Sequence, residues 1–196
     1  MTFDEVVAQS LAPETLKGLI DGYRQAQSPN DVASQDKLPM RTMASMLPNI
    51  TVMERVDNDT IVYRITGENI VARLGFNPTG KNFLDLIDPS VRAETALTNK
   101  LGLEERCGHY AIYENQYESG RIMMSESLML PMRKTKDGDI AFIFGYHVHH
   151  QATDIGLLGA RTALGVRWVL AEYVDIGFGI PRAVSESEQA HGRRRA

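Results

Sequence analysis

The sequence predicts an α+β domain, a five-stranded antiparallel sheet with helices on one face, preceded by an N-terminal helical extension. Three observations carry this expectation. Two β-rich runs flank a turn between residues 50 and 66, helical spacing fills much of 68–103, and three alternating runs separated by turn residues occupy 107–150. The expected division is a helical extension over 1–48, the domain over 49–150, a C-terminal element packing on it over 151–182, and a flexible tail over 183–196.

In the extension, Phe3, Val6, Val7 and Leu11 recur at helical spacing. After Pro13, the positions Leu16, Leu19, Ile20 and Tyr23 form an apolar stripe on one helical face. Gln27 to Asp31 reads as loop, and a third helix is expected from Asp36 to Pro48, with Met40, Met43 and Leu47 on one side. No strand is expected before residue 48. ITVMERV and TIVYRIT then form a hairpin around Asp57-Asn58-Asp59. A short helix follows from Glu68 to Leu74, ended by Gly75 in the left-handed region. Asp88-Pro89 reads as an N-cap followed by an N1 proline, opening a helix to about Leu103. The last three strands are expected at 108–117, 121–131 and 140–149, with turns at Glu118-Ser119-Gly120 and Lys136 to Asp139. Residues 165–176 fit helix and strand spacing about equally.

Composition narrows the functional classes. The chain has 196 residues and a formal charge of −4, without a basic stripe, which argues against a nucleic-acid partner; Arg193-Arg194-Arg195 alone is too weak a field. A single cysteine, Cys107, excludes an internal disulfide and suits a cytoplasmic location. No apolar run is long enough for a membrane span, and the acidic N-terminus is unlike a secretory signal. The nine methionines read as adaptable core filling. No P-loop, G-x-S-x-G, H-E-x-x-H or dinucleotide fingerprint is present, and Gly156 to Gly165 reads as a connector.

The segment YRITGENIVARLGFNPTGKNFLDLID resembles the stretch of PAS domains that runs from the second strand through the small connecting helices, with Gly67, Gly75 and Thr79-Gly80-Lys81-Asn82-Phe83 at the matching turns. The preceding SPNDVASQDKLPMRTMASMLPNITVMERV is similar to the lead-in of stand-alone bacterial PAS-domain proteins of unassigned activity, and the likeness spans roughly residues 28–150. The resemblance implies a PAS-like fold and a sensory domain that binds a small molecule, a partner protein or both, with a ligand pocket between the interior sheet face and the helix before the last three strands. The segments 1–48 and 151–196 are too short for an output module, so the signal is expected to leave by protein contact. The rival with similar elements is a cone-shaped α+β fold of the ketosteroid-isomerase type.

Placing the final turn at Asp137-Gly138 sets Leu128 opposite His147 and Glu126 opposite His149. One face then carries His147, His149, Glu126, Tyr113, Leu128 and Ile143. The more aromatic face carries the expected ligand-binding residues Tyr110, Ile112, Ser125, Ser127, Met129, Phe142, Phe144 and Tyr146, together with Met123 and Val148. A small-pocket isomerase or lyase using Glu126 with His147 or His149 as general base is the alternative from another class. The His147–His150 run could supply metal ligands but lacks a metal-binding spacing, and a solvated strand end explains it better. The cofactor is left unknown: LEERCGHY around Cys107 is not a flavin-photosensor motif, and no histidine lies between residues 89 and 103 to hold haem in the manner of oxygen-sensing PAS domains, which disfavours both groups and leaves open a haem held by another residue. Asp85 and Asp88 could be imagined as a paired-carboxylate site, but a helix cap is the better explanation of Asp88. The Leu16–Tyr23 stripe, with no strand of its own to cover, is expected to pair two chains into a homodimer.

Overall fold

The computed structural model describes residues 1–149 and 161–181. Its elements are α1 (Phe3–Gln9), α2 (Pro13–Ala26), β1 (Gln27–Ser28), β2 (Asp31–Ser34), β3 (Ile50–Arg55), β4 (Ile61–Thr66), α3 (Glu68–Leu74), α4 (Arg92–Glu104), β5 (Gly108–Tyr117), β6 (Ile122–Arg133), β7 (Ile140–His149) and β8 (Arg161–Val174). The expected five-stranded antiparallel core is present, in the spatial order β4-β3-β7-β6-β5. Three further strands extend it. β8 pairs antiparallel with β5, which resolves residues 165–174 as strand. β2 lies parallel to the end of β6 through Ala33↔Met132 and Ser34↔Arg133, and β1 pairs back on β2. The expected tail over 183–196 and His150 fall outside the described residues.

The sheet separates two cores, each covered by helices or helical turns. α1 and α2 cover one sheet face, where Leu16, Leu19, Ile20 and Tyr23 are at most 2% exposed and meet Tyr110, Leu128, Leu130, Phe144 and Tyr146. Burying each such side chain contributes roughly 1.5–3 kcal/mol, which explains why the extension folds back. The Tyr23 hydroxyl, carried into this core, donates to the Pro131 carbonyl at 2.5 Å. The stripe expected to join two chains is therefore spent inside its own chain. A capping box opens α1: Thr2 Oγ1 accepts from the Glu5 amide, and Glu5 Oε2 accepts from the Thr2 amide at 2.6 Å. On the opposite, inner face, Phe83, Leu84, Ile87 and Leu103 from the short 3₁₀ turn and α4 pack on Met53, Tyr63 and Ile143.

Three local expectations are corrected. The third helix of the extension is replaced by two 3₁₀ turns, Gln35–Lys37 and Ala44–Asn49, because Pro39 and Pro48 remove amide donors that a continuous helix would need. Strands β1 and β2 occupy the region expected to be free of strand. Asp88 does not cap α4: its carboxylate accepts from the Ser90 amide at 2.8 Å and hydroxyl at 2.6 Å, an Asx-type turn, and α4 starts at Arg92. The helix α3 and its left-handed stop at Gly75 (φ 77°) stand where expected.

Candidate functional site on the inner sheet face

The pairing of β5, β6 and β7 differs by one residue from the expected register. Ser125 faces His149 and Ser127 faces His147, while Glu126 faces Val148. Likewise Tyr110 faces Leu128, and Tyr113 faces Ser125. The turns explain the slip. β6 and β7 are joined by a longer loop in which the Gly138 amide bonds to the Thr135 carbonyl, with a bulge at Met132/Arg133, and not by a two-residue turn. β5 and β6 are joined by Glu118-Ser119-Gly120 with Gly120 in the left-handed region at φ 78°. A one-residue slip moves every side chain of a strand to the other face relative to its neighbour.

The residues expected to line one pocket therefore divide. Ser125, Ser127 and Met129 lie on the inner face with His147 and His149, the face that α4 covers in part. Tyr110, Ile112, Phe142, Phe144 and Tyr146 lie on the outer face beneath α1 and α2. Glu126 also points outward, 1% exposed, where it accepts from Ser10 Oγ at 2.7 Å and from the Leu11 amide at 2.8 Å. The His–Glu pair on which the enzyme alternative rested is split across the sheet. No group of three or more potential metal ligands occurs among the described residues.

Rows of paired residues describe the inner face. Row one runs Tyr173, His109, Met129, Gly145, Thr51 from β8 to β3; row two runs Ala171, Ala111, Ser127, His147; row three runs Trp168, Tyr113, Ser125, His149. Row two is low, since three of its four side chains are small. It is walled by rings: His109 with Tyr173 on one side, 5.8 Å between centroids, and Tyr113 with Trp168 on the other, 5.1 Å apart. Rows two residues apart are spaced by about 6.6 Å along a strand, so the walls stand about 13 Å apart.

The polar groups on this face are tied together. Asn115 Nδ2 donates to Ser125 Oγ at 2.8 Å, and Ser125 Oγ and the Tyr117 hydroxyl bond the two ring nitrogens of His149. In the neutral imidazole one ring nitrogen donates and the other accepts, so Ser125 and Tyr117 take opposite roles toward His149. Asn115 Oδ1 in turn accepts from the Gly165 amide of β8 at 3.2 Å. His147 Nε2 is hydrogen bonded to Thr51 Oγ1 at 3.0 Å. Both groups lean over Gly145, where a Cβ would fall 2.4 Å from Thr51 Oγ1 and 2.8 Å from His147 Nε2. The buried guanidinium of Arg73 from α3 fixes this end of β7, donating to the His147 carbonyl at 3.1 Å and to Asn49 Oδ1 at 2.8 Å.

Beneath α4 the space is nearly closed. A cavity of about 10 Å³, the room of a single water, is lined by residues including His109, Cys107, Leu103, Met129 and Ile143. Burial there pulls the His109 pKa down to about 4. Burial, then the charges of Glu105 and Asp175, push the Cys107 thiol up to about 12. Buried and held in its thiol form, Cys107 acts as a small apolar group at the start of β5. Sequence reasoning missed Thr51, Asn115, Gly145 and Trp168. Asn115 alone carried a signal, a polar residue within an otherwise alternating strand, but its face depended on the register.

No family model and no curated protein matches the chain. Solved structures to which it is similar include a light-oxygen-voltage domain studied with a flavin analogue, at 13% identity and TM-score 0.44, covering 57% of this chain and 84% of that one. VqmA bound to DPO is similar at 15% identity and TM-score 0.44, covering 59% of each chain, so the likeness spans little over half of VqmA. The PAS-B domain of Drosophila melanogaster Cycle with bound ethylene glycol is similar at 10% identity and TM-score 0.40, covering 52% of this chain and 98% of that one. What the described residues themselves establish is an α+β fold with a five-stranded antiparallel core in the order β4-β3-β7-β6-β5.

Proposed function

We propose that this chain is a PAS-like sensory domain that binds a small molecule on the inner sheet face, over Ala111, Ser127 and His147, and reports the binding to a partner protein. The observation that carries the reading is the character of that face. Positions on β6 and β7 that would hold β-branched or larger apolar residues in a plain core hold two buried serines and two partly buried histidines. Buried hydroxyls and imidazoles add little packing, whereas they orient a ligand between apolar walls.

Signal transfer is supported by Glu126. It stands between Ser125 and Ser127 on β6 but points outward to the α1–α2 junction, so a displacement of β6 at the site is felt at the N-terminal helices. The test is native mass spectrometry of the purified protein against its denatured mass, joined to a thermal-shift screen of small molecules. A retained molecule, or a compound whose shift is lost in Ser127→Val, is the expected result. No retained mass and no compound that shifts the wild type would overturn the reading.

A further inference from the structure

Trp168 is the only tryptophan in the chain, and its position on the third row is built by two neighbours. Gly165 adopts φ 66°, and a Cβ there would come within 2.9 Å of three atoms of the indole, so the ring lies over bare backbone. On another side the Tyr113 ring sits 5.1 Å away at an interplanar angle of 38°. Tyr113 is 5% exposed, yet the indole is 40% exposed. A large ring held from two sides and open on a third is an aromatic surface presented to something else. Beside it, row two places the Ser127 hydroxyl, and rows two and three contain no carboxylate, ammonium or guanidinium side chain.

We infer that Trp168 and Tyr113 form the stacking wall of this site, and that it selects uncharged planar aromatic molecules bearing a hydrogen-bonding group over saturated molecules of the same size. The inference rests on the inner-face reading above and specifies its ligand class. An aromatic ring gains an offset or edge contact with the indole that a puckered saturated ring cannot make, whereas the hydrogen bonds available to each are the same. A charged ligand would find no counter-charge in these two rows and would lose hydration on entry.

Benzamide and cyclohexanecarboxamide share one amide and differ in the ring, so they isolate the stacking contribution. Each is titrated to millimolar concentration into the full chain, followed by the Trp168 fluorescence and by thermal shift. The thermal-shift titration is repeated with Trp168→Leu, Trp168→Phe and Ser127→Val. Benzamide is expected to bind about fivefold more tightly than its saturated counterpart, with a saturable change in Trp168 emission. Trp168→Leu should make the two equal, and Trp168→Phe should keep the preference. Equal affinities in the wild type, or a preference unchanged in Trp168→Leu, overturn the stacking wall; if Ser127→Val still abolishes binding, the inner-face site itself stands. Absence of binding by both compounds overturns the stacking wall as well.

Discussion

Glu126 and Ser10 are joined by a 2.7 Å hydrogen bond, hydroxyl to carboxylate, across a separation of 116 residues. The second oxygen of the same carboxylate takes the Leu11 amide at 2.8 Å. One buried side chain thus closes the junction between two helices onto the middle of the sheet. Replacing Glu126 with Leu removes the acceptor of both the Ser10 hydroxyl and the Leu11 amide at this part-buried junction, and should cost roughly 1–3 kcal/mol in urea unfolding. Hydrogen exchange over residues 1–26 should rise more than exchange in α4. Protection unchanged across the N-terminal helices would refute the role of Glu126 as their anchor.

Acid should weaken the fold through His109. Its imidazole titrates near 4 when folded and near 6.5 when unfolded, so the unfolded chain binds the extra proton first. Stability from this group is full above pH 6.5 and falls as pH drops towards 4, by up to roughly 3 kcal/mol. His109→Gln should flatten the stability profile in that window. A profile of the same slope in both proteins would show that the ring is not desolvated as described.

The approach of Thr51 and His147 over Gly145 makes a clear steric prediction. Gly145→Ala should destabilise the chain by roughly 1–3 kcal/mol, since its Cβ would meet Thr51 Oγ1 at 2.4 Å. Removing the obstructing hydroxyl in a Thr51→Ala, Gly145→Ala double variant should recover part of that loss. Strict additivity of the two changes would deny the contact.

Cys107, 1% exposed and with its thiol pushed up to about 12, should resist iodoacetamide at pH 8 in the native protein and react readily in urea. Rapid native alkylation, read by intact mass, would mean that the region beneath α4 opens far more often than its packing implies.

Much of the architecture was legible because local chemistry dictates it. The αL stop at Gly75, the hairpin of β3 and β4 and the bounds of β5 and β7 all follow from turn residues and alternation that act over a few positions. The face assignment depended on loop geometry, which is less local. Asp137-Gly138 has the residues of a tight turn, yet the chain spans that corner with a longer loop and a bulge, and one residue of slip sent Phe144 outward and Ser127 inward. The covering of the Leu16–Tyr23 stripe was illegible for another reason: its partners Leu128, Leu130 and Tyr146 lie more than a hundred residues away, and only the folded sheet unites them. β8 was ambiguous because Val166, Trp168 and Val169 are exposed at a sheet edge, where neither burial period applies strictly.

The packing of α2 has a consequence for how the chain is made. Tyr23 must wait for Pro131, 108 residues later, before its hydroxyl finds an acceptor and its stripe finds a surface. At typical translation speeds that delay lasts roughly 5–20 s. Throughout it the α2 stripe has only near neighbours such as Phe3, Val6 and Met43 to lie against, so an apolar helix face stays partly uncovered and open to a holding chaperone until the late strands are made.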